Sequence, residues 1–174
     1  LKGTMVTANR EFLLLAVRNL HENAARHMSQ PGAIRWSMAK ESDALAVYVN
    51  KDNSVQGLTM AQVDAIFSKT RRFGASQTLE RWDQLGITGE VAASPISIYG
   101  RNSASGTYGF FKEFALKNGD FKDEVKEQPG SASVVQGITE DQSGIGYSGI
   151  GYLTSGVRAL SLAEKEGAPF VAPT

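Results

Sequence analysis

The residues best suited to chemistry form a short polar loop between an apolar segment and a run of aromatic residues. Residues 100–107, GRNSASGT, combine one arginine with hydroxyl and amide side chains and two glycines. If a helix begins here, the hydroxyls of the loop and the first backbone N–H groups of the helix point at one place, where the helix dipole adds partial positive charge. Arg101 can add a full charge and two parallel donors. These groups are typical of a site for a small oxyanion.

A strand before the loop and a helix after it are expected to position these groups. Residues 95–99, PISIY, are short, apolar and partly β-branched, which predicts a buried strand. From Thr107 onward three phenylalanines recur at helical spacing, and residues 118–119, NG, predict the end of that helix. Serine and threonine are also common in turns and helix caps, so a loop that only begins a helix is the alternative interpretation.

Composition excludes several functional classes. The chain has 174 residues, enough for one domain with a core, and its 18 basic and 18 acidic side chains balance, unlike those of a nucleic-acid-binding protein. No apolar run approaches the roughly 20 residues of a membrane span. The absence of cysteine excludes disulfides and thiolate ligands. His21 and His27 share a helical face poorly, so neither a metal site nor a cofactor is predicted.

Strand and helix patterns alternate along much of the chain. Residues 43–50, DALAVYVN, are apolar nearly throughout and predict a buried strand. Thr59 and Gln62 have the spacing of a capping box, which predicts a helix ending near Lys69. Trp82, in the connector that follows, is predicted to be a buried anchor.

Ser131 is predicted to be the N-cap of a later helix, whose start either faces the ligand or is an ordinary cap. The alternation of strands and helices predicts an α/β fold with a largely parallel sheet, in which ligands bind beyond the carboxyl ends of strands. The remaining patterns predict a helix over 8–28, a short strand over 34–38, a strand and turn over 143–152, a strand over 157–162 and its return strand over 169–172.

Five segments occur in an order that resembles one protein family. They are 43–53, 57–68, 82–86, 99–108 and 143–147. Together they resemble the periplasmic phosphate-binding proteins of high-affinity phosphate ABC transporters, and the Arg-x-x-x-Ser-Gly-Thr loop is the most specific segment. The resemblance covers about residues 43–174. It implies a periplasmic-binding-protein-like fold of type 2, whose two lobes close on inorganic phosphate, with this chain similar mainly to the second lobe.

The resemblance implies a role for each residue of the loop. Arg101 would make a charge-assisted contact with phosphate, Ser105 and Thr107 would donate hydroxyls, and Gly106 would let its backbone N–H approach the anion. Members of the family often have aspartate, which partners the arginine, where this chain has Ser103. The implied phosphate site consists of Arg101, Asn102, Ser103, Ser105, Gly106 and Thr107.

The resemblance also implies a domain organisation. Residues 43–174 form the phosphate-binding-protein-like lobe. Residues 1–42 match poorly and contain neither the serine-rich loop nor the acidic acceptor of the family's first lobe, and whether they are a remnant of that lobe stays open. The family implies a periplasmic or otherwise extracytoplasmic location, although the sequence shows no signal segment. It also implies an ABC transporter permease as partner.

Three functions follow from these patterns. The favoured one is binding of inorganic phosphate as part of the substrate-binding component of a phosphate ABC transporter, without catalysis. A non-transport module of the same fold, sensing oxyanions or binding a partner, is the main alternative. An enzyme acting on phosphate esters through Ser105 would need a base, and both histidines lie far from this loop in the sequence. One lobe alone is expected to bind phosphate weakly and in a salt-sensitive way.

Overall fold

The computed structural model describes residues 44–173, which form two β-sheets and three α-helices. The strands are β1 (Leu45–Asn50), β2 (Gly57–Thr59), β3 (Ser97–Arg101), β4 (Lys126–Gln128), β5 (Gly144–Gly149), β6 (Val157–Ala159) and β7 (Ser161–Ala163). The helices are α1 (Met60–Phe67), α2 (Gly106–Leu116) and α3 (Ser131–Glu140). The predicted helix over 8–28 and strand over 34–38 lie outside the described residues.

The main sheet has the strand order β4-β3-β5-β1-β6, and β2 pairs with β7 in a separate sheet. The predicted α/β class is confirmed. Strand β3 runs parallel to β4 and β5, and β2 runs parallel to β7. Strand β1, by contrast, is antiparallel to both of its neighbours, so the main sheet is mixed. The strand pattern of residues 43–50 predicted the existence of β1 and carried no information on its direction.

Alternate side chains of the main sheet enter two apolar layers. In β1, Val47 and Val49 pack on the side of α1 and α2, whereas Ala46 and Tyr48 pack on the side of α3. This period of two is the expected pattern of a strand buried on both faces. Trp82 is 0% exposed in the first layer, which confirms its predicted role as an anchor.

Helix α1 begins as predicted and ends slightly earlier. Its capping box is complete: Gln62 N donates to Thr59 Oγ1 at 3.2 Å, and Thr59 N donates to Gln62 Oε1 at 2.8 Å. The helix ends at Phe67 rather than near Lys69, because Ser68 takes an extended conformation and its hydroxyl donates to the buried Asp64 carboxylate.

Two other boundaries differ from the sequence predictions. Lys117 and Asn118, not the following glycine, take the left-handed conformation that ends α2, with φ of 48° and 59°. The predicted strand over 157–162 is two strands, β6 and β7, interrupted at Leu160. The predicted return strand over 169–172 is reduced to an isolated antiparallel bridge between Leu162 and Val171.

Candidate anion-binding site

The loop singled out from the sequence lies at the edge of the main sheet where β3 ends. Because β3, β4 and β5 run parallel, their carboxyl ends share this edge. Helix α2 starts directly after the loop, and α3 starts shortly after β4. Arg101 is therefore the last residue of β3, and Ser105 is the N-cap of α2. This is the kind of position at which open α/β sheets bind ligands.

The start of α2 has unused hydrogen-bond donors. Ser105 has the extended backbone of an N-cap, with φ of −87° and ψ of 133°, yet its side chain makes no capping hydrogen bond. The first bond into the helix runs from Gly109 N to Ser105 O at 3.2 Å. The N–H groups of Gly106 and Thr107 precede that bond and have no acceptor in the helix. Ser105 is therefore the N-cap of α2 by its backbone conformation and not by a side-chain hydrogen bond within residues 44–173.

Asn102 shapes the loop from within. Its side-chain Oδ1 accepts a hydrogen bond from Ala104 N at 3.2 Å, and its backbone oxygen accepts one from Ser105 N at 3.0 Å. Ser103 is exposed, and no hydrogen bond within residues 44–173 uses its side chain. These contacts form a compact turn that leads from Arg101 into α2.

Gly106 occupies a position that the surrounding chain does not require to be glycine. A Cβ built on Gly106 meets nothing within 4 Å, and its φ is not in the left-handed region. At Gly146, by contrast, a Cβ would lie 2.6 Å from Tyr99 O and 2.9 Å from Ile138 Cδ1, so packing of β5 against its neighbours excludes a side chain there. The open space over Gly106 leaves its N–H accessible to a bound group.

Arg101 carries a charge that no carboxylate in the described part of the chain pairs with. Its backbone N–H donates to Tyr147 Oη at 3.2 Å, and its Nη1 donates to Ser131 Oγ at 3.0 Å. Its Nε is buried and has no hydrogen-bond partner within residues 44–173. A half-buried guanidinium with a spare donor and only neutral partners is well suited to an anion.

Tyr147 supports the strand end that carries Arg101. The residue is 0% exposed and its ring stacks on Phe111, with centroids 4.0 Å apart and planes at 9°. Burial raises the pKa of Tyr147 to about 12, although the N–H of Arg101 acts in the opposite direction. The phenol is therefore neutral at physiological pH. The sequence placed this residue in a strand but gave no sign of its contact with Arg101.

Ser131 has a different role from the predicted one. Gly130 is the N-cap of α3, with φ of −147° and ψ of 160°, and Ser131 is the first helical residue. The hydroxyl of Ser131 accepts from Arg101, so it is not used as a cap. The sequence offered one signal for this contact, namely that the start of this helix could face the ligand.

Other predicted features lie outside this site or outside the described residues. His21 and His27 belong to the second group. Within residues 44–173, no cluster of three or more histidine, aspartate or glutamate side chains has a geometry suited to a metal ion. None of the helices in that range is long and apolar enough to cross a bilayer.

The fold and sequence define the class of protein. Residues 15–171 match the family model of the PBP superfamily domain, and the chain belongs to that family. It is 60% identical over 129 residues to the phosphate-binding protein PstS of Pseudomonas aeruginosa strain PAO1, an alignment that covers 74% of this chain and 40% of that protein. The chain thus spans about 40% of the length of this curated relative.

Solved structures confirm the fold. A possible phosphate-binding protein from Planctomyces limnophilus superposes with a TM-score of 0.62 at 24% identity, covering 75% of this chain and 45% of that one. An ABC-type phosphate transport receptor from Vibrio cholerae superposes with a TM-score of 0.59 at 21% identity, covering 75% and 48%. Residues 44–173 therefore have the periplasmic-binding-protein-like fold that the resemblance implied.

Proposed function

We propose that this chain binds inorganic phosphate at the loop between β3 and α2, as part of the substrate-binding component of a phosphate ABC transporter. One observation carries the proposal: Ser105, the N-cap of α2 without a side-chain capping bond, follows four positions after Arg101, whose charge has no carboxylate partner among the described residues. The 60% identity to a phosphate-binding protein supports the choice of phosphate among oxyanions.

In this proposal each residue of the loop contributes a different group. Arg101 supplies the positive charge, and Ser105 and Thr107 supply hydroxyl donors that no capping bond uses. Gly106 supplies a backbone N–H that no side chain shields. Asn102 and Ser103 complete the site as the turn that sets the distance between arginine and helix. The dipole of α2 adds partial positive charge at the same place.

The same proposal covers the wider biology of the chain. Residues 43–174 are the phosphate-binding lobe, and residues 1–42 are a separate N-terminal segment. The partner is an ABC transporter permease, and the location is periplasmic or otherwise extracytoplasmic. The chain is a carrier and not an enzyme: a serine nucleophile needs an adjacent base, and no aspartate or glutamate within residues 44–173 forms a hydrogen bond with Ser105.

Titration calorimetry with inorganic phosphate at low ionic strength tests the proposal. Arg101→Ala should weaken phosphate binding about 30-fold or more, since hydrogen bonds to a charged group are worth about 1.5–3 kcal/mol each. The matched control is Arg81→Ala, which removes an exposed arginine paired with Asp83. Equal phosphate affinity in Arg101→Ala and the parent chain would refute the site, and equal losses in both variants would show only a general effect of net charge.

A further inference from the structure

Arg101 is held by two neutral oxygens. Its backbone is fixed through Tyr147 Oη at 3.2 Å and its guanidinium through Ser131 Oγ at 3.0 Å. No acidic side chain forms an ion pair with it in the part of the chain that the structure describes. An arginine without these two hydrogen bonds would lose rotamer freedom when it binds an anion, and that loss would weaken binding.

Ser131 is itself held in place from two directions. As the first residue of α3 it follows the cap residue Gly130, whose oxygen accepts the first helical bond from Val134 N at 3.2 Å. Its backbone oxygen accepts a hydrogen bond from Ser148 Oγ at 3.3 Å, and Ser148, in β5, is 0% exposed. The backbone of Ser131, which carries the hydroxyl, is thus held by both helix α3 and the central sheet.

We infer that Ser131 is a positioning residue, which orients the Arg101 guanidinium for the anion. The inference rests on the proposed function of the loop. A carboxylate in this role would orient the arginine and at the same time neutralise its charge. The hydroxyl of Ser131 orients it as a neutral acceptor, so the full charge of Arg101 stays available to phosphate.

The test compares three variants of the full chain. Ser131→Ala removes the acceptor, Ser131→Thr keeps a hydroxyl, and Ser133→Ala is a matched control in the same helical turn, whose hydroxyl has no hydrogen bond among the described residues. We expect Ser131→Ala to weaken phosphate binding about tenfold, Ser131→Thr to stay within about twofold of the parent, and Ser133→Ala to match it. Circular dichroism confirms that each variant is folded.

Two readouts separate positioning from other effects. In the phosphate-free chain, the NMR resonance of the Arg101 Nε–H group should shift in Ser131→Ala and not in Ser133→Ala. In an Arg101→Ala background, Ser131→Ala should cause no further loss of phosphate affinity, because its effect passes through Arg101.

Two results would overturn the role of Ser131, and a third would refute the proposed phosphate binding instead. An unchanged Arg101 resonance in Ser131→Ala overturns it, and so does an undiminished effect of Ser131→Ala in the Arg101→Ala background. If the Arg101 resonance shifts as expected but the parent chain binds no phosphate, the contact between Ser131 and Arg101 is supported and the proposed function fails.

Discussion

The N-caps of α1 and α2 are both hydroxyl residues, but the two hydroxyls form different hydrogen bonds. At α1, the Thr59 hydroxyl accepts from Gln62 N and the Gln62 side chain accepts from Thr59 N. The backbone N–H groups of both residues are therefore hydrogen-bonded within the helix start. At α2, Ser105 stands at the same position and its hydroxyl makes no capping bond. The α1 terminus is capped by its own side chains, whereas the α2 terminus has no side-chain cap within residues 44–173.

The difference shows that a hydroxyl at a helix start is not by itself a sign of either structure or function. Gln62 makes α1 self-sufficient, because it lies three residues after the cap and reaches back to it. The corresponding residue of α2 is Tyr108, which cannot accept in this way at the cap backbone. The uncapped terminus also lies beside Arg101, and this combination distinguishes the candidate site.

Of the changes that test this comparison, the largest expected effect is a reciprocal one at the two cap residues. Thr59→Ala should lower the free energy of unfolding by about 1 kcal/mol and leave phosphate affinity unchanged, because it removes a cap. Ser105→Ala should leave stability nearly unchanged and weaken phosphate binding about tenfold, because it removes a donor to a charged ligand. Urea denaturation measures the free energy of unfolding, and calorimetry measures phosphate affinity. If both variants change the two quantities in the same way, Thr59 and Ser105 do not differ in role.

Gly106→Ala tests whether open space at α2 serves a ligand. The added methyl group meets nothing within 4 Å among the described residues, and alanine favours a helix, so stability should stay equal or rise slightly. Phosphate affinity should fall about fivefold, because the methyl group competes with the anion for the space over the N–H. Gly109→Ala, also with nothing within 4 Å and farther along α2, is the control. Equal phosphate affinity in both variants would contradict the proposal that the anion approaches the backbone N–H of Gly106.

Tyr147→Phe tests whether the hydrogen bond from Arg101 N to Tyr147 Oη stabilises the candidate site. It removes the acceptor for Arg101 N, so we expect phosphate binding about threefold weaker and a loss of about 1 kcal/mol in unfolding free energy.

The pH dependence of stability gives an independent readout of Tyr147. Burial raises its pKa to about 12, from 10.0, so the unfolded chain releases this proton at a lower pH than the folded chain. The associated stability is present below pH 10 and is lost as pH rises through 12. Tyr147→Phe should therefore show a shallower alkaline loss of stability than the parent chain in denaturant titrations. An identical alkaline slope would contradict the assigned burial of the phenol.

The last expected effect, as small as that of Tyr147→Phe on phosphate binding, is at Ser103. Ser103→Asp adds a negative charge beside an already oriented arginine, and we expect phosphate binding about threefold weaker at low salt, with the difference disappearing at high salt. In a Ser131→Ala background the same change should restore affinity, because the aspartate takes over the orientation of Arg101. Two results together would contradict the positioning role: Ser103→Asp does not restore phosphate affinity in the Ser131→Ala background, and it tightens phosphate binding in the parent chain. They would indicate that Ser131 leaves the arginine poorly oriented.

The sequence predicted much of the local structure because the signals are local. The capping box of Thr59 and Gln62 spans three residues, and the strand before Arg101 and the helix after it follow from composition over about ten. The errors also have local causes. Ser131 was a reasonable N-cap by residue type, but the preceding Gly130 takes the cap conformation and frees the serine hydroxyl.

By itself, the sequence determined the order strand, loop and helix, and with it the set of donors that residues 101–107 can offer. Only the tertiary structure decided which donors are free and what holds Arg101. Its contact with Ser131 joins residues 30 positions apart, and its contact with Tyr147 joins residues 46 apart. Such contacts depend on the parallel register of β3 and β5 and on the packing of α3 over the sheet, which no short stretch of sequence encodes.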